Sequence, residues 1–134
     1  MGDLLMWYRA GGVAMHLVLM LTVLGGIVVP ITVVVAMVSR FSGKAGGVAR
    51  AAAMVGVLFA LAPCCAGAFG YQTQMWRVDA AVAGMDPEIK SEVLRWGGEE
   101  ASHNISFGLG SALCMLLPAV LAFVLAPSKP PPEY

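Results

Sequence analysis

Three stretches of the chain are apolar at nearly every position, and the charged residues are confined to the segments around them. The stretches cover 11–38, 51–76 and 104–127, and none contains Asp, Glu, Lys or Arg. A helix rising 1.5 Å per residue crosses a hydrocarbon core about 30 Å thick in roughly 20 residues, and each stretch is longer than that. The runs are continuous rather than alternating, which points to helices and not to barrel strands. The pattern predicts an all-α integral membrane protein, with three transmembrane helices forming a single membrane domain over 1–134.

The connection 77–103 carries a different pattern. Asp86 followed by Pro87 reads as an N-cap with Pro at the first helical position. Ile89, Val93 and Trp96 then recur at helical spacing among Glu88, Lys90, Glu92 and Arg95. This predicts a short amphipathic helix on the membrane surface between helices two and three, ended by Gly97-Gly98. Trp7, Tyr8, Trp76 and Trp96 fall where an aromatic belt would sit. Pro30 predicts a bend in the first span, and the Pro-rich tail 127–134 predicts an extended conformation.

Charge sets the expected orientation. The loop 39–50 holds Arg40, Lys44 and Arg50 and no acid, whereas 77–103 holds Arg77, Lys90 and Arg95 against Asp79, Asp86, Glu88, Glu92, Glu99 and Glu100. Short loops rich in Lys and Arg stay in the cytoplasm. The first loop and the C-terminus are therefore expected inside, and the N-terminus and the second loop outside. The first apolar run is too long for a signal-peptide core, and Asp3 interrupts any basic leader.

Composition narrows the function classes. The chain is 59% hydrophobic and 12% charged, with net charge zero and mean hydropathy +0.81. Nucleic-acid binding through bulk positive charge and intrinsic disorder are both excluded. The three Cys form no CxxC pair, and no phosphate loop, nucleophile motif or nicotinamide fingerprint occurs. The expectation is a protein that is not an enzyme and holds no metal or cofactor.

The candidate residues fall into two groups. Ala52, Gly56, Ala60, Cys64 and Ala68 recur every four residues along span two. Small residues let helix backbones approach in lipid, so this stripe is expected to be a packing face, within one chain or between copies. The second group is polar and lies toward the outer ends of the spans: His16 in span one, Gln72, Thr73 and Gln74 in span two, and Glu99, Glu100, Ser102, His103, Asn104 and Ser106 in span three. Ionisable groups in a membrane are costly and point to function. His16 and His103, on different helices, could alternatively supply two axial ligands to haem or line a quinone site.

The order of several features resembles the MotA/TolQ/ExbB proton-channel family. The N-terminal Ala10-Gly11-Gly12-Val13-Ala14-Met15 matches the family's Gly-Gly and Met pattern, and Ala62-Pro63 stands where a Pro precedes its second channel helix. Glu100-Ala101, Gly108-Leu109 and Pro118-Ala119-Val120-Leu121-Ala122-Phe123 follow the order of its third helix. The family's large cytoplasmic region between helices one and two is here a short loop, and its channel hydroxyls on helix two are replaced by Cys64, Cys65, Ala66 and Gly67. The resemblance implies a shortened ExbB-like subunit of a bacterial inner membrane, driven by proton-motive force. Copies would form a homo-oligomer around a single-span ExbD-like partner. Glu100, Ser102, Ser106 and Thr73 would then form a proton pathway, flanked by an outer polar cluster of His16, His103, Glu99, Asn104 and Gln72. A purely structural accessory or scaffold subunit of a larger membrane complex is the alternative, with lipid as its surroundings.

Overall fold

The computed structural model describes residues 12–42 and 46–127. Trp7, Tyr8, Lys44 and the tail from Ser128 onward lie outside the described residues. Three helices follow one another: α1 over Gly12–Ser42, α2 over Gly46–Ala81 and α3 over Pro87–Leu125. All three are long and apolar enough to cross a membrane. The protein is an all-helical, multi-pass membrane protein.

Each helix pair is in contact, and each helix turns small residues inward. In α2 the buried positions are Gly46, Ala49, Ala53, Gly56, Ala60, Pro63, Gly67 and Gly70, with Ala66 beside them. These alternate in steps of three and four, an average of 3.5, which keeps one seam facing its neighbours in a left-handed bundle. In α1 the same repeat runs through Met15, Val18, Gly25, Val29, Thr32, Ala36 and Ser39. In α3 it runs through Ala101, Gly108, Met115 and Ala122, with Ala112 and Ala119 between. The large apolar side chains lie outside: Val13, Phe41 and Leu117 are at least 80% exposed. This arrangement suits a hydrocarbon solvent, which gives Leu or Phe no reason to be buried.

The expected stripe on α2 is corrected by this geometry. Gly56 and Ala60 are buried, Ala52 and Cys64 are half-buried, and Ala68 is exposed. At 100° per residue, a step of four overshoots a full turn by about 40°. Four such steps carry the stripe about 160° around the helix, so only its middle can stay on the contact face.

The segment between spans two and three also differs from expectation. Asp86 and Pro87 do begin a helix, although the Asp86 side chain makes no capping bond. That helix is not separate, because it continues through Gly97-Gly98 to Leu125 as the first part of α3. Gly97 does not break α3, because its missing side chain is used for packing: a Cβ there would stand 2.6 Å from Val78 Cγ2 of α2. With 36 and 39 residues, α2 and α3 are about 54 and 58 Å long, well beyond a 30 Å core. Their ends form a helical hairpin closed by a turn that Val82, 1% exposed, plugs from inside.

Candidate functional site

Asn104 is the most deeply placed polar side chain in the bundle. It is fully buried, and its amide nitrogen donates to Gln74 Oε1 across the α2–α3 interface at 3.0 Å. The approach of the two helices explains why it fits. A Cβ on Gly67 would collide with the Asn104 carbonyl oxygen, and one on Gly108 with the Pro63 carbonyl oxygen. Gly70 leaves room for the Asn104 side chain itself, since a Cβ there would come within 3.3 Å of Asn104 Cγ. Ala14 of α1 closes the same junction, 2.7 Å from that Cβ position. The Asn104 Oδ1 is buried without a hydrogen-bond partner among the described residues. Such a group costs free energy in a low-dielectric interior.

The other expected site residues do not converge on this point. Glu100 lines a groove of the projecting hairpin with Glu92, Val93 and Trp96. Ser106 lines a groove between α1 and α3. Thr73 lines a third groove, between α1 and α2, with Gln74 and Arg77. Ser102 is exposed on α3. The hydroxyls of Ser102 and Thr73 donate to the carbonyls of their own helices, at Glu99 (2.7 Å) and Gly70 (3.0 Å). Of the four residues expected to form one proton pathway, three thus line three separate grooves and Ser102 lies on the exposed surface of α3.

The outer cluster is likewise dispersed. Glu99 faces Arg95 at 3.7 Å on the open surface of the hairpin, both side chains being about two-thirds exposed. A surface pair of this kind contributes about 0.3–0.5 kcal/mol. His16 is exposed on α1, its Nδ1 hydrogen-bonded to the Gly12 carbonyl at 3.2 Å, and it lines a shallow surface with Leu19, Met20 and Val23 of the same helix. His103 is half-buried, with Nδ1 hydrogen-bonded to the Glu100 carbonyl at 3.1 Å. Gln72 is exposed, and the partner of Asn104 is Gln74 instead. The sequence did hold the signal: continuing the 3.5 repeat of α2 from Gly67 and Gly70 leads to Gln74, not Gln72.

The cysteines are free thiols, Cys64 half-buried and Cys65 and Cys114 exposed. Among the described residues no group of His, Cys, Asp and Glu is arranged to hold a metal ion. At the opposite end of the bundle from the hairpin, the Arg50 guanidinium stacks 5.6 Å from the Phe123 ring centroid. That contact ties α2 to α3 where charged side chains meet the membrane surface. Comparison with protein-family models, with curated proteins and with solved structures finds no match to this chain.

Proposed function

We propose that the protein is a non-catalytic accessory or scaffold subunit of a membrane complex, acting through helix packing rather than chemistry. The carrying observation is the dispersal of its polar residues over three grooves around a seam of closely packed small residues. A proton relay needs donors and acceptors in sequence, and no such chain runs through this seam among the described residues. The loop charges support a cytoplasmic side at Arg40 and Arg50 and an outward-facing acidic hairpin, with a bacterial inner membrane as the setting.

A second reading, the ExbB-like proton-channel subunit, is favoured by one observation: Ser102 and Ser106 lie four residues apart on the outward side of α3. In that reading the pathway forms between copies, or against a single-span partner, and Glu100 serves as its outer acid. Proton flux into liposomes separates the two. The scaffold reading expects reconstituted protein to conduct no more than empty liposomes, and expects removal of the protein from native membranes to dissociate a larger complex. Flux in the wild type that Glu100→Gln abolishes would overturn it in favour of the channel.

A further inference from the structure

The groove between α1 and α2 differs from the other two in its charge. Glu92 and Glu100 line the hairpin groove, and no charged side chain lines the one between α1 and α3, whereas this groove holds one cation, Arg77, and no acid. Gly70, Thr73, Gln74 and Arg77 follow one another at i, i+3, i+4 and i+7 and so share one face of α2. Val13 and Leu17 of α1 form the facing wall, and Phe69 lies at the membrane end. From Phe69 to Arg77 the helix rises about 12 Å. The walls are therefore graded by depth, apolar at Leu17 and Phe69 and polar at Gln74 and Arg77. Arg77 sits where that gradient meets the membrane surface. It is the first charged residue after the apolar run 51–76, and it follows Trp76, which is 64% exposed. The Arg77 side chain is exposed and makes no ion pair or hydrogen bond with any described residue. Asp79 is two residues on, about 200° around α2, and does not line the groove. The wall beside Arg77 is anchored, because Gln74 accepts the hydrogen bond of the buried Asn104 across the α2–α3 interface.

We infer that this groove binds a single phospholipid of net negative charge, with its phosphodiester on Arg77 and one acyl chain running down between Leu17 and Phe69. A guanidinium keeps its charge and offers phosphate oxygens a planar fork of donors. A basic pocket between membrane helices is a recognition site for lipid head groups. The gradient along the walls selects an amphiphile. A soluble anion would leave the apolar end uncovered, and the apolar face of another helix would leave the guanidinium unpaired. The groove offers no acid to the amine of a zwitterionic head group, which favours a lipid of net negative charge. Its volume of about 570 Å³ lies within the roughly 300–1,000 Å³ of small-molecule sites. The site is independent of whether the protein scaffolds a complex or conducts protons.

Native mass spectrometry of the full chain, released from nanodiscs of equal parts phosphatidylglycerol and phosphatidylcholine, tests the site. The wild type should retain one lipid, phosphatidylglycerol in preference to phosphatidylcholine. Arg77→Gln should lower that retention about fivefold, the effect of one basic side chain at an anionic surface, and Arg77→Lys should keep most of it. Phe69→Ala should weaken retention while preserving the preference for phosphatidylglycerol. Both Arg77 and Phe69 are exposed, so these variants should keep the helix content and unfolding midpoint of the wild type. Arg95→Gln, on the hairpin outside the groove, should leave retention unchanged. Excess inorganic phosphate should not displace the lipid. A wild type released free of lipid, equal retention of the two lipids, retention indifferent to Arg77→Gln, an equal loss in Arg95→Gln, or displacement by phosphate would each overturn the assignment.

Discussion

At Gly67 and Gly108 two helix backbones meet with no side chain between them, each Cα facing a carbonyl of the other helix. Such contacts permit weak Cα–H···O interactions and full van der Waals contact, the forces available to helices already in lipid. A methyl group has nowhere to go at these two positions, because its neighbours are backbone atoms. Gly67→Ala and Gly108→Ala should therefore each destabilise the bundle by at least 1–3 kcal/mol, on the order of overpacked cores in general. Gly47→Ala, at an exposed helical position with open space around it, should be neutral or slightly stabilising. Reversible unfolding in mixed micelles, by circular dichroism, measures both. Gly25 is an intermediate case, since a Cβ there meets the Met115 sulfur at 2.6 Å and that flexible side chain can move. Asn104→Ala should lower stability by about 0.5–2 kcal/mol in the same assay, the range for interhelical side-chain hydrogen bonds in membranes. An unchanged midpoint would mean that the burial cost of the Asn104 amide offsets its bond to Gln74.

Among the elements, α2 decides how the bundle is built, because small residues on it face both neighbours. Gly56 sits under Thr32 of α1, whose Oγ1 would be 2.6 Å from an added Cβ, and Gly67 sits under Asn104 of α3. Leu substitutions along the four-residue stripe should consequently split into two classes. Gly56→Leu should prevent stable folding, whereas Ala68→Leu, exposed on the same helix, should leave helix content and oligomer size intact. Equal tolerance of both would contradict the seam. The continuity of α3 has a similar local cause. Two adjacent glycines cost a helix roughly 1 kcal/mol each relative to Ala, yet Gly97 lets α3 pack directly on Val78, and the hairpin closes around Val82. Gly97→Val should splay the hairpin and speed amide exchange over 78–97, with little effect on the spans, whereas Gly98→Ala, in open space, should not.

For the whole molecule, the three helices put the turn at 82–86 and the α1–α2 connection at opposite ends of a bundle longer than the membrane is thick. A cysteine probe at Ala83 should be labelled from one side of the membrane only and one at Gly47 from the other, in a background without native Cys. The orientation proposed above from the loop charges expects Ala83 outside, and labelling of Ala83 from the cytoplasm would overturn that proposal. The number of membrane-spanning helices, their approximate positions and the membrane as their solvent were determined by sequence alone, because uninterrupted apolar length is a local property and hydrocarbon tolerates few alternatives to a helix. Small residues also announced that helices would pack closely. Which small residues do so was decided in three dimensions: Gly56 and Ala60 entered the seam, Ala68 left it, and Gly97 became a contact rather than a break. The polar groups followed the same rule. Their nearness in sequence and depth suggested one cluster, but residues three or four apart around a helix face different neighbours as soon as three helices pack. Asn104 was thereby paired with Gln74, while Glu100, Ser106 and Thr73 were sent to separate grooves. Depth in the membrane is set by hydropathy along the chain; the direction each side chain faces is set by the pitch at which the helices interlock, and that pitch exists only in the assembled bundle.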